Sequence, residues 1–161
     1  MTEEKQEKKT EKKINSAGAL TAVIRISGMV KVREVIENPL SRIKLRRKYA
    51  CVLIDPNNKS MAGIIKKVKH YIAYGEIDKA TLVKLIKARG KSVEGDKKEL
   101  KIDAEKVASE LMDGKKLEEF GLKGFFRLAP PRKGINSKLQ YPKGVLGNNK
   151  KDINKLIERM L

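Results

Sequence analysis

Between Leu20 and Gly75 the apolar residues change period at short intervals, and few folds accommodate the resulting order. The run LTAVIRI from Leu20 is rich in branched side chains and ends at Ser27-Gly28, which predicts a strand closed by a turn. Val32, Val35, Ile36, Leu40 and Ile43 then fall on one helical stripe. Asn38-Pro39 interrupts that stripe. The proline is expected to kink or restart the helix, since it removes a backbone donor and restrains its predecessor. Tyr49 to Ile54 is a second strand-length apolar run, and Asp55-Pro56-Asn57-Asn58 is a turn. Met61, Ile64, Ile65 and Val68 mark a second amphipathic helix, and Tyr71 to Gly75 is short enough for a third strand. The order β-α-β-α-β predicts a compact α+β unit with its helices laid over one sheet face.

Beyond residue 77 the pattern loosens. Asp78 can cap a helix bearing Leu82, Leu85 and Ile86 that stops at Gly90, and Asp103 can cap another bearing Val107, Ala108 and Leu111 that stops at Gly114. A charged connector, KSVEGDKKELK, joins them. Gly121 to Leu128 has the character of a strand with Phe125 and Phe126 on opposite faces. Ile153, Leu156, Ile157 and Met160 predict a closing helix capped by Asp152. Met1 to Lys13 has no apolar periodicity to repay the entropy of ordering. The chain therefore divides into a disordered tail (1–18), a core (19–77) and a helical extension with a basic loop and a C-terminal helix (78–161).

Charge narrows the function. The 161 residues carry a net charge of +18, and the sequence pI is about 10.0, which points to a polyanion. The excess is not spread evenly. Residues 19–77 and 120–161 each hold a net +8, whereas 1–18 and 78–119 hold +1 apiece. Within the second basic block, residues 121–150 contain no acid, five glycines and three of the five prolines. Pro130-Pro131 should present Arg132 and Lys133 from an extended segment at low entropic cost. Whichever phenylalanine ring faces outward beside Arg127 is placed either to stack on an unpaired base or to pack on neighbouring helices.

Other classes of function lose ground. One cysteine, Cys51, rules out a disulfide framework and suggests a reduced, intracellular setting. No apolar stretch reaches the roughly 20 residues of a spanning helix. One histidine and one cysteine cannot supply the usual soft ligands of a metal site, so neither metal nor cofactor is expected. His70 is read as a structural or RNA-facing residue. No GxGxxG, GxxxxGK[ST], HExxH or GxSxG string occurs, which argues against an enzyme. A DNA-associated architectural protein would share the charge but should offer a groove-reading helix or strand pair, or wedge residues.

Several segments together carry a resemblance. AVIRISGM (22–29), LRRKYACVLID (45–55), MAGIIKKVKHYIAYGEI (61–77), GFFRLAPPRKG (124–134) and YPKGVLG (141–147) resemble the ribosomal large-subunit protein L-thirty family, called L-seven in eukaryotes. The likeness runs from about Leu20 to the C-terminus, and the length resembles the long archaeal form. It implies a ferredoxin-like, three-stranded core, with a structural role in the cytoplasmic ribosome. The implied partners are large-subunit rRNA near the 5S rRNA region and neighbouring ribosomal proteins, with neither a membrane nor a small-molecule substrate.

The charge blocks then predict two RNA-binding zones held apart by the near-neutral helical pair. Arg25, Arg42, Arg46, Arg47, Lys66 and Lys69 form the first. Arg127, Arg132, Lys133, Lys138 and Lys143 form the second. Arginine engages phosphate bidentately and lysine as a point charge; both release counterions.

Overall fold

The computed structural model describes residues 20–93 and 103–161; the expected tail and most of the charged connector lie outside them. Five strands form one sheet in the order β4-β2-β1-β3-β5. Strand β1 (Thr21–Arg25) is antiparallel to both β2 (Ala50–Ile54) and β3 (Ile72–Glu76), so β2 and β3 run in the same direction on either side of it. This is the split arrangement of a ferredoxin-like α+β core, as the family resemblance implies. Two short strands widen the sheet. β4 (Phe126–Arg127) pairs antiparallel with β2, and β5 (Gly147–Asn148) pairs parallel with β3.

Alternation along the strands sends side chains to two separate cores. Val23, Ala50, Val52, Ile54 and Ile72 face helices α1 (Glu34–Arg42) and α2 (Lys59–Val68), where Leu40, Ile43, Leu45, Ile65 and Val68 complete the packing. Ala22, Ile24, Cys51 and Ala73 face the other way. They meet α3 (Lys79–Arg89), α4 (Ala104–Met112) and α5 (Ile153–Met160). The partner that the apolar faces of α3 and α4 require is therefore the second face of the sheet. Cys51 is fully buried in this layer, and desolvation pushes its thiol pKa up to about 12.

Pro39 does not break α1. Its missing N–H would have served the carbonyl of Val35, a residue 78% exposed in the first turn of the helix. The Ile43 N–H in turn bonds to the Pro39 carbonyl at 3.2 Å and carries the last turn past the ring. The strand expected over Gly121 to Leu128 shrinks to two residues. Gly121, at φ 65°, ends the 3-10 turn Leu117–Phe120 in the left-handed region, and Leu122 bridges to Ser92. Both phenylalanines pack: Phe126 is in the α3-α5 layer, and Phe125 is half-buried against the α1-α2 layer.

The aspartates occupy the expected N-cap positions of α3, α4 and α5, but none caps with its side chain. Asp103 pairs with Lys106 at 2.9 Å. Asp152 accepts from the Tyr141 hydroxyl at 2.8 Å and pairs with Lys155 at 3.1 Å. Asp78 accepts from Asn154 Nδ2 at 3.0 Å, and that buried amide also accepts from Asp78 N and donates to the carbonyls of Glu76 and Lys151. Asn154 thus ties the β3-α3 junction to α5. The true side-chain cap belongs to Asn58, whose Oδ1 accepts from Ser60 N and Met61 N at the start of α2.

Glycine 75 lets α5 approach the sheet. A Cβ there would run into the Lys150 carbonyl and lie 3.0 Å from Ile153 Cβ, both fixed close to the backbone. Gly75→Ala should destabilise the fold by about 1–3 kcal/mol through overpacking, read as a lower urea midpoint. An unchanged midpoint would mean that α5 does not press on β3.

Candidate nucleic-acid interface

The strand directions decide where the basic residues meet. β1 and β4 end, and β2, β3 and β5 begin, at one end of the sheet. Segments 26–33, 43–49, 69–71 and 128–146 therefore emerge at this end, although they belong to both basic blocks. Hydrogen bonds knit them together. Ile26 N and Ser27 N donate to Tyr71 O, Tyr49 N donates to Arg25 O, and Leu128 N donates to Tyr49 O at 3.0 Å. On the far side, Gln140 Nε2 and His70 Nδ1 lie 3.0 Å apart, joining the long loop to the end of α2.

Arg25 stands at the centre of this end and is only 2% exposed. Its guanidinium donates to the carbonyls of Leu45 (2.8 Å), Arg46 (2.9 Å), Gly28 (2.9 Å) and Ser27 (3.2 Å). Arg25 is thus a clamp between segments 26–33 and 43–49, and the expectation that it meets phosphate is corrected by its burial. Desolvation lowers its pKa while the Glu37 carboxylate opposes the shift. A guanidinium remains charged regardless.

The other ten predicted residues are exposed. Arg46 and Arg47 stand on the clamped segment, and Arg127 stands opposite Ala50, next to it on the sheet. The Arg127 guanidinium lies 6.0 Å from the Phe125 ring centroid, and Lys48 Nζ lies 4.7 Å from that of Tyr49. Lys69 follows α2 beside His70, and Lys66 is in the helix's last turn. Lys138 and Lys143 flank Gln140, the residue that touches His70. Arg132 and Lys133 form the turn after Pro130-Pro131. Arg42 is set apart, lining a groove between α1 and α2 with Ser60, Gly63 and Lys67.

The two blocks are not held apart by α3 and α4, which cover a face of the sheet, not its end. Ion pairing sharpens the picture. Among the described residues, six salt bridges engage Lys44, Lys84, Lys87, Lys106, Lys115 and Lys155, and none engages a predicted RNA-binding residue. At the sheet end Lys44 is taken up by Glu118, and the other five pairs lie within the helical extension; among the described residues the ten exposed predicted cations stay outside these pairs, open to an external anion.

Some contributors escaped sequence reasoning. Arg159 on α5 donates to the carbonyls of Arg132 and Gly134. Only its place in a last helical turn distinguishes it in the sequence. Lys31 and Arg33 are also exposed in segment 26–33, Lys31 with φ 58°. Among the described residues no helix is long and apolar enough to cross a membrane, and no His, Cys, Asp or Glu cluster could hold a metal.

Comparison with known proteins shows the family. The profile of the ribosomal protein L30p/L7e family matches residues 21–72, from β1 to the start of β3. Over 150 residues the chain is 39% identical to the large ribosomal subunit protein uL30 of Archaeoglobus fulgidus, covering 86% of this chain and 98% of that relative. The chain belongs to the ribosomal protein L30p/L7e family. It is also similar to the uL30 proteins of Methanococcus maripaludis (40% over 153 residues, 87% and 98% covered) and Nanoarchaeum equitans (39% over 156 residues, 89% and 99% covered). These L30p/L7e relatives align over most of the chain, well beyond the matched 21–72 core.

The long loop is fastened to α5 by a titratable contact. The Tyr141 hydroxyl first, and then Lys155, hold the Asp152 carboxyl below its usual value, while Asp152 raises the Tyr141 pKa. Because the folded carboxyl pKa is depressed, this tie is present above the unfolded value and is lost as pH falls through the folded one. Tyr141→Phe should move the Asp152 pKa back up, measured by carboxyl NMR titration. An unchanged titration would remove the tyrosine from the tie.

Proposed function

We propose that this L30p/L7e family member is a non-enzymatic structural component of the cytoplasmic large ribosomal subunit. It docks on large-subunit rRNA, in the region of the 5S rRNA, and packs against neighbouring subunit proteins. The observation that carries the reading is the concentration of exposed cations, all but Lys44 outside the ion pairs of the described residues, where segments 43–49, 69–71 and 128–146 emerge together. Arg46, Arg47, Lys69, Arg127, Arg132, Lys133, Lys138 and Lys143 supply this surface. Lys66 and Arg42 extend it along α1 and α2. The name that the relatives bear, large ribosomal subunit protein uL30, supports the same reading.

Such a surface binds by counterion release, so affinity falls steeply with salt. The double variant Arg46→Gln, Arg47→Gln should weaken binding to a large-subunit rRNA fragment. It should also reduce the magnitude of the slope of log K against log salt by about 0.7–0.9 for each phosphate that the variant no longer neutralises. Filter binding at matched salt, with duplex DNA alongside, measures this. A shallow slope for the parent protein, or equal affinity for duplex DNA, would sink the proposal.

A further inference from the structure

The turn carrying Arg132 and Lys133 is built on α5 by reciprocal bonds. Helix α5 ends with carbonyls that have no intrahelical donor. Ala129 N donates to Met160 O and Arg132 N donates to Arg159 O, both at 2.8 Å, so the loop serves those carbonyls. The helix answers with one side chain. Arg159 Nε and Nη2 donate to the Arg132 carbonyl at 3.1 and 2.8 Å, and Nη2 also donates to the Gly134 carbonyl at 2.6 Å. These two carbonyls bracket Lys133, which has φ 64°, a left-handed conformation that a lysine adopts only when its surroundings hold it there.

A cation in the last turn of a helix is favourable in any protein through the helix dipole, and that alone would account for a lysine or arginine at this position. It does not account for a planar fork spent on two loop carbonyls, nor for the absence of Arg159 from the ion pairs of the described residues. Its neighbour Glu158 pairs with Lys84 instead. The fork geometry is specific to arginine.

We infer that Arg159 is a positioning residue for rRNA binding. It does not touch phosphate, but it fixes the turn so that Arg132 and Lys133 are presented together before the RNA arrives. This rests on the proposed rRNA-docking role. Preorganisation removes an ordering cost from binding, so its loss lowers affinity while every phosphate contact remains.

The test uses the full chain and a large-subunit rRNA fragment, with affinity measured across a series of salt concentrations. Arg159→Gln should weaken binding about three- to tenfold, the scale of immobilising one or two side chains, while leaving the slope of log K against log salt at the parent value. Arg159→Lys keeps the charge and loses the fork, so it should resemble Arg159→Gln more than the parent. It also serves as the second variant if the glutamine lowers stability. In a background already carrying Arg132→Gln and Lys133→Gln, Arg159→Gln should have no further effect, because it acts only through those two residues. A slope reduced by about 0.7–0.9 would make Arg159 a phosphate contact and overturn the inference. Full affinity in Arg159→Lys, or an undiminished loss in the triple variant, would overturn it equally. If the parent itself lacks a steep salt dependence, the docking role fails. If the parent binds as expected and the Arg159 variants match it, only the positioning role fails.

Discussion

Strand β1 is hydrogen-bonded along both edges and covered on both faces, and the other elements are arranged by that enclosure. Ala22, Val23, Ile24 and Ile26 are completely buried, and their alternation assigns α1 and α2 to one face and α3, α4 and α5 to the other. Where the strand ends, the charged head of Arg25 is trapped inside the same packing. A buried charge is tolerated only when hydrogen bonds replace its water, and the carbonyls of segments 26–33 and 43–49 do so. The clamp that satisfies Arg25 thereby fixes the base from which Arg46 and Arg47 project.

The same logic recurs at the edge of the interface. Arg159 spends its donors on the carbonyls around Lys133, as Arg25 does on those of Leu45 and Arg46. Tyr141 and Asp152 anchor the far part of the long loop, and Gln140 rests against His70. Backbone carbonyls and a few polar side chains hold the loops, which leaves Arg46, Arg47, Arg127, Arg132 and Lys133 outside the ion pairs of the described residues. Acids pair with other cations: Glu118 meets Lys44, Glu158 meets Lys84 and Glu110 meets Lys115, and among the described residues no predicted RNA-binding side chain enters such a pair. Surface pairs of this kind add little stability, and their arrangement matters here mainly for which cations they leave free.

How legible each part was in the sequence follows from how local its cause is. The β-α-β-α-β order was readable because periods of two and near four are written into consecutive residues from Leu20 to Gly75. The second covered face of the sheet was not, since the small residues Ala22, Ala73 and Gly75 gain meaning only when a helix from beyond residue 150 lies on them. Two-residue strands such as Gly147–Asn148 have no period to detect. The aspartates sit at the helix starts as expected, but distant partners, Asn154 and Tyr141 among them, claim their side chains. Helix α1 continues through Pro39, and its last turn is carried by the bond from Ile43 N to the Pro39 carbonyl.

By itself, the sequence determined the three-stranded core, its helices, the two basic blocks and the kind of partner such charge would seek. These follow from residue type and spacing, which short-range sterics and hydrophobic burial convert directly into local structure. Only the tertiary structure decided that the blocks emerge at one sheet end, that Arg25 is a buried clamp, and that Arg159 reaches back to the turn at Arg132. Those outcomes depend on strand direction and on contacts between residues 20 to 70 positions apart. No local preference encodes such a separation, because it is settled only when the chain closes around its central strand.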